Sequence, residues 1–155
     1  MVTENRHNEY MKHCIALAEK ALQNGNPPVG SILVYQDNII GEGIENGRSS
    51  KDITNHAEIL AIRDAVQKDN EALISSATMY STHEPCIMCS YVIRHHKVSE
   101  LVYGMEVDYV GGHSSELKVL DTQKVPKWGA KPKIKNGVLK HQCQELSKRY
   151  EDSVK

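Results

Sequence analysis

The stretch Pro85-Cys86-Ile87-Met88-Cys89, taken with His56-Ala57-Glu58 upstream, constrains this chain more than any other feature. Two cysteines three positions apart, a distant histidine and a glutamate two residues beyond it can serve one ion only if the fold brings both segments to one point. Zinc prefers four ligands, and this pattern supplies three strong ones: the imidazole of His56 and the sulfurs of Cys86 and Cys89. A fourth position left to water is what hydrolytic chemistry needs. Glu58, beside that water, is placed to carry protons as a general acid and base. The implied cofactor is one Zn2+ per chain.

Local geometry supports this pattern. Cys86 and Cys89 at i and i+3 share a helical face, so both sulfurs can reach one ion. In a first helical turn, free N–H groups and the helix dipole favour thiolate over thiol. On an ideal helix, residues i and i+2 point about 200° apart. At a helix start, however, the first residue is free of that geometry, and Glu58 can lie beside the water while His56 holds the metal. Two other meanings stay open. A Cys-x-x-Cys after a strand also serves as a redox pair, although Pro85 before the first cysteine and a His-x-Glu with no redox role weigh against it. A structural zinc needs a fourth ligand, and His83, His95, His96, His113, Cys14 and Cys143 are all available by type.

A chain of 155 residues with 25% charged and 39% hydrophobic residues reads as one globular domain spanning 1–155. Its formal net charge of −1 gives no global basic field for nucleic acid or anionic membrane. Between Lys118 and Lys140 stand Lys124, Lys127, Lys131, Lys133 and Lys135 against one acid, Asp121. This is a solvated surface or a phosphate-binding patch. The first residues are polar, no apolar run is long enough to span a bilayer, and four cysteines without a signal point to a reducing compartment. These features predict a cytoplasmic protein without membrane contact.

Helical spacing of Tyr10, Met11, Cys14, Ile15, Ala18 and Leu22 predicts a helix over about 7–23, ended by Asn24-Gly25-Asn26-Pro27-Pro28. Ile32 to Tyr35 and the segment from Ile39 form a hairpin about Gln36-Asp37-Asn38, and a polar loop runs from Gly47 to Asn55. A helix over about 55–68 is capped by Thr54 or Asn55. Ala77 to Ser81 is a strand, and a helix with Pro85 in its first turn runs to His95 or His96. Val98 to Tyr103 is a strand, Ser115 to Leu120 a short helix, Pro132 to Lys135 an edge strand, and about 138–150 a final helix. Alternating strands and helices make an α/β chain with one sheet between helical layers. Cys14 and Cys143 read as core residues, and the histidines without a pattern as surface groups. His83, two residues before Pro85, falls near any pocket over the metal. Trp128 reads as a lid or an interface anchor.

His-Ala-Glu followed by Pro-Cys-x-x-Cys resembles the signature of zinc-dependent nucleobase deaminases, and the likeness covers nearly the whole chain. Pro28-Val29-Gly30, Gly41-Glu42-Gly43 and Thr82-His83-Glu84-Pro85-Cys86 are similar to the branch that holds tRNA adenosine deaminases, guanine deaminases and fungal cytosine deaminases. The stretch from Gly104 to Leu120 resembles the tRNA deaminase loop. This resemblance implies a three-layer α/β/α sandwich with a mixed five-stranded sheet, assembled as a homodimer. It implies His56, Cys86 and Cys89 as zinc ligands and Glu58 as proton shuttle, with the Ala57 N–H helping to hold the base. His83 and Glu84, within the motif, are implied substrate neighbours. Activated water would attack the ring carbon bearing the amino group and leave a carbonyl and ammonia. The branch carries an Asn at the end of the second strand to bond the base. Here Ile44-Glu45-Asn46 puts Glu45 at that place and Asn46 one later. A carboxylate accepts from ring N–H or sugar hydroxyls and repels phosphate. Together with the longer loop from Lys124 to Lys135, this sets a free base or nucleoside ahead of adenosine in tRNA as the expected substrate.

Overall fold

The computed structural model describes residues 2–155. Helix α1 (Glu4–Gln23) begins three residues earlier than its apolar spacing suggests, because the Thr3 hydroxyl accepts the Arg6 N–H and caps it. Strands β1 (Gly30–Tyr35) and β2 (Asn38–Ile44) form the hairpin. Its turn places Gln36 and Asp37 at positive φ, the geometry that matches strand twist in a two-residue connection. A one-turn helix, α2 (Gly47–Ser50), sits inside the segment predicted as loop. Then come α3 (Ala57–Gln67), β3 (Thr78–His83), α4 (Ile87–His95), β4 (Glu100–Met105), β5 (Lys133–Lys135) and α5 (Lys140–Ser153). Short 3-10 turns at Glu71–Ser76 and Pro126–Trp128 escape the sequence pattern. Ser115 to Leu120 forms turns and not the expected helix, because the Leu120 N–H is drawn across to the Gly112 carbonyl.

The five strands lie in the order β2-β1-β3-β4-β5. The β1 strand is antiparallel to both neighbours, while β3, β4 and β5 run parallel, so the sheet is mixed and β5 is an edge as expected. Alternate residues serve opposite faces. Leu33, Met79, Leu101 and Tyr103 pack with Ile62, Ala65 and Ile93 of α3 and α4. Ile32, Val34, Tyr80 and Val102 pack with Met11, Cys14, Leu17 and Cys143 of α1 and α5. Both faces of the sheet are therefore covered, and the result is the α/β/α sandwich. Truncating a fully buried member such as Leu33 or Ile93 to Ala costs about 2–5 kcal/mol. Cys14 and Cys143 are core residues, as expected. Among the described residues, no helix is long and apolar enough to cross a membrane.

Two features of this fold place the chemistry. The crossover β3–α4–β4 joins parallel strands, which puts the start of α4 beyond the carboxyl end of β3, where open α/β sheets bind ligands. Across the sheet, α3 lies directly on β2: a Cβ on Gly43 would collide with the Ala57 carbonyl and lie 2.6 Å from the Ala61 nitrogen. Only glycine lets the first turn of α3 descend that far and face α4.

Candidate active site

His56 is the N-cap of α3, with extended φ −72° and ψ 150°. Cys86 is the N-cap of α4, with φ −70° and ψ 175°. Pro85 thus precedes the helix and does not occupy its first turn. Because His56 is not yet helical, its ring turns to the metal position while Glu58, in the first turn, faces the cleft. The helix cap comes from neither Thr54 nor Asn55: their side chains bond Asp52, and Ser50 and Arg63. Glu45, the residue after β2, takes that role by accepting the Ala57 N–H at 3.3 Å.

His56 Nδ1 lies 3.5 Å from both Cys86 Sγ and Cys89 Sγ. A tetrahedral zinc with ordinary Zn–N and Zn–S bonds separates nitrogen and sulfur by about 3.6 Å. The donor set and its spacing therefore fit zinc. Among the described residues, no fourth His, Cys, Asp or Glu joins this cluster. Three of the six candidates for a closed site are engaged elsewhere: His83 bonds Ser147, His113 bonds Asp121, and Cys14 bonds the Tyr80 carbonyl. Hydrogen bonds from Cys89 and His56 pull the Cys86 thiol down to about 4, the direction metal binding requires. His56 is pushed up to about 9, chiefly by its bond with Cys86. A divalent ion takes the place of these shared protons.

Glu58 is 4% exposed, and burial pushes its carboxyl up to about 7, against the opposing effect of the Ser81 hydroxyl, which donates to Oε1 at 2.8 Å. A nearby cation draws that value down again. A buried carboxyl beside the metal position, with one oxygen held by Ser81, is placed to take and return a proton. From sequence, Ser81 is only the end of a strand, with no role at the site. Nothing local marks it, since β3 reads Thr78-Met79-Tyr80-Ser81-Thr82-His83 and the Ser81 hydroxyl, fully buried, is one of several in the strand.

Together with His56, Glu58 and Cys86, the cleft is lined by Pro27, Val29, Glu45, His83, Glu84, Val107 and Val110, around a cavity of about 240 Å³. That is smaller than the roughly 300–1,000 Å³ of sites that take drug-sized ligands, and it suits one base. Of the expected substrate neighbours, Glu45 and His83 face this cavity. Asn46 does not: its side chain is exposed and accepts from the Ser49 hydroxyl at 2.6 Å. The Ala57 N–H, expected to hold the base, is already given to Glu45. Glu84 lines the cleft, but its carboxylate secures the loop after β4, accepting from the N–H groups of Val107, His113 and Ser114 and from the Ser114 hydroxyl. Those bonds hold its carboxyl below the usual range despite burial. Trp128 is buried but lies outside the cleft, edge-on to Tyr91 and under the Arg94 guanidinium. Arg94 donates to the carbonyls of Val119, Leu120 and Thr122, anchoring the chain that leads into the lysine-rich segment. His7, expected at the surface, is buried against the Tyr80 hydroxyl.

The family model for the cytidine and deoxycytidylate deaminase zinc-binding region matches residues 4–105. The tRNA-specific adenosine deaminase of Buchnera aphidicola subsp. Schizaphis graminum is 32% identical over 143 residues, 92% of this chain and 91% of that protein. The tRNA-specific adenosine deaminase of Haemophilus influenzae is 35% identical over 139 residues, 88% of this chain and 79% of that protein. A solved structure, from a study of A-to-I editing by tRNA deaminases at the wobble position of transfer RNA, superposes with a TM-score of 0.81 at 26% identity, covering 89% of this chain and 98% of that one. This chain belongs to the cytidine and deoxycytidylate deaminase zinc-binding family. It is a zinc-dependent deaminase that hydrolyses a C–N bond, and its metal ligands are His56, Cys86 and Cys89.

Proposed function

We propose that this chain converts adenosine to inosine in transfer RNA. Similarity to tRNA-specific adenosine deaminases over most of both chains carries this conclusion. It reverses the order expected from Glu45, the near-neutral charge and the longer loop from Lys124 to Lys135. Zinc, when bound, supplies the Lewis acid that makes water a competent nucleophile near neutral pH. Glu58 would accept one proton from the attacking water and deliver it to the ring nitrogen beside the reacting carbon, then take the second from the newly added hydroxyl and pass it to the departing amine. The C–NH2 bond breaks, a carbonyl forms and ammonia leaves. Ser81 keeps the Glu58 carboxylate aimed at the cleft through its 2.8 Å bond.

Glu45 favours a second substrate class, a free base or nucleoside. It is 6% exposed, its oxygens meet the N–H groups of Ala57 and Gly47, and toward the cleft it can only accept. A base with a ring N–H, or a sugar with a free hydroxyl, matches it. One experiment separates the two. Zinc-loaded protein is incubated with an anticodon stem-loop bearing adenosine, and in parallel with adenine, guanine, cytosine and their nucleosides, while inosine and ammonia are measured. Inosine in the stem-loop supports tRNA editing. Ammonia from the small molecules alone transfers the function to them, and no turnover of any substrate at full zinc occupancy removes both. Sedimentation of the same sample reads out the homodimer expected from the resemblance.

A further inference from the structure

His83 is the last residue of β3 and the one imidazole besides the metal ligand among the residues lining the cleft. Both of its ring nitrogens are used inside the protein: Nδ1 lies 3.0 Å from Thr82 Oγ1, and Nε2 lies 2.7 Å from Ser147 Oγ on α5. Burial also holds its pKa down, to about 4, so the ring is neutral at pH 7. Ser147 does not line the cavity, so the pair is not a nucleophile with its base. A neutral imidazole whose nitrogens are spent has only its π-face and carbon edge to offer a ligand. Its cleft neighbours Pro27, Val29, Val107 and Val110 are apolar, and the carboxylate of Glu84 is committed to its loop.

We propose that His83 is a stacking surface for the base of the substrate, and that Ser147 is a positioning residue that fixes the plane of that ring from the C-terminal helix. This rests on the deaminase function of the cleft and holds for either substrate class. Recognition by stacking tolerates different bases, because every base has a π-face. It also ties α5, far along the chain from the metal motifs, to the cleft.

The test uses zinc-loaded protein and two ribosides without an exocyclic amine, purine riboside and pyrimidin-2-one riboside. Binding is measured by calorimetry, so no turnover is needed. The tighter of the two is then titrated into variants whose circular dichroism and zinc content match the wild type. His83→Phe keeps the flat ring and binds within about threefold of wild type, whereas His83→Ala and His83→Leu weaken binding about 5- to 150-fold, the range of base–aromatic stacking. Ser147→Ala weakens binding less, Ser147→Thr restores it, and on any substrate that is turned over both effects fall on KM more than on kcat. Wild-type affinity in His83→Leu, loss in His83→Phe equal to that in His83→Leu, or no binding to the wild type overturns the proposal. Absence of turnover with riboside binding intact overturns the deaminase function instead.

Discussion

Replacing Glu45 by glutamine keeps the side chain's length and removes one charge and one acceptor. Oε1 accepts from the Ala57 N–H at 3.3 Å, and Oε2 from the Gly47 N–H at 3.0 Å. An amide can accept at only one of these places, and the other N–H then faces an NH2 group. The longer bond gives way, so the amide oxygen stays with Gly47 and the Ala57 N–H is freed toward the cleft. A buried donor left without a partner costs about 1–3 kcal/mol, which a urea titration of Glu45→Gln reads as lost stability. The same change turns an acceptor wall into a donor wall. Adenine presents acceptors at its ring nitrogens and gains a partner. Guanine, with a ring N–H, loses one. At about 1–3 kcal/mol per mispaired contact, the ratio of kcat/KM for stem-loop adenosine over free guanine or guanosine rises about 5- to 150-fold in Glu45→Gln. Ammonia release under competing substrates measures that ratio directly. An unchanged ratio alongside the expected loss of stability would show that Glu45 only caps α3 and does not touch the substrate.

Other outcomes follow from the same geometry. Glu58→Gln retains zinc by metal analysis and loses about 10²- to 10⁴-fold in kcat, the range of a general acid–base group; near-wild-type turnover removes Glu58 from the mechanism. Gly111→Ala drives its new Cβ into the Glu84 carboxylate, which is held by Val107, His113 and Ser114. Displacing that carboxylate strands buried donors and lowers stability by at least about 2 kcal/mol in urea unfolding, whereas a neutral result would show that the loop yields. For His83 the folded pKa, about 4, lies below the unfolded value of about 6.5. The unfolded chain therefore takes the proton first. The group costs nothing above pH 6.5, and its penalty grows as pH falls toward 4, reaching about 3 kcal/mol. The stability of wild type relative to His83→Phe should fall by that amount between those pH values, a comparison in which acid effects on the shared metal site cancel. Parallel pH curves would refute it.

The metal centre was legible because its residues announce themselves by type and by short spacing. His56 and Glu58 stand two apart, and Cys86 and Cys89 three apart. Their placement at two helix starts followed from the apolar runs that come after them. The sheet was legible for a related reason: strands covered on both faces read as nearly continuous apolar stretches such as Ile32 to Tyr35. Contacts between distant segments left no local trace. Nothing in or after β2 says that Glu45 caps a helix starting twelve residues later, and so occupies the N–H expected for the base. Glu84 reads as part of a motif, yet its carboxylate serves a loop more than twenty residues on. Ser147 is an ordinary serine on a polar helix until β3 brings His83 to within 2.7 Å of it. The missed turns between Ser115 and Leu120 have the same origin, since a long-range bond to Gly112 outweighs local helix preference.

X-ray absorption at the zinc edge of the purified protein probes the account most directly. It should report two sulfur ligands near 2.3 Å, one imidazole nitrogen near 2.0 Å and one further light atom that exchanges with solvent or inhibitor. A spectrum with a third sulfur or a second imidazole would mean a closed structural site, and the deaminase chemistry drawn from Glu58 and its cleft would have no centre on which to act.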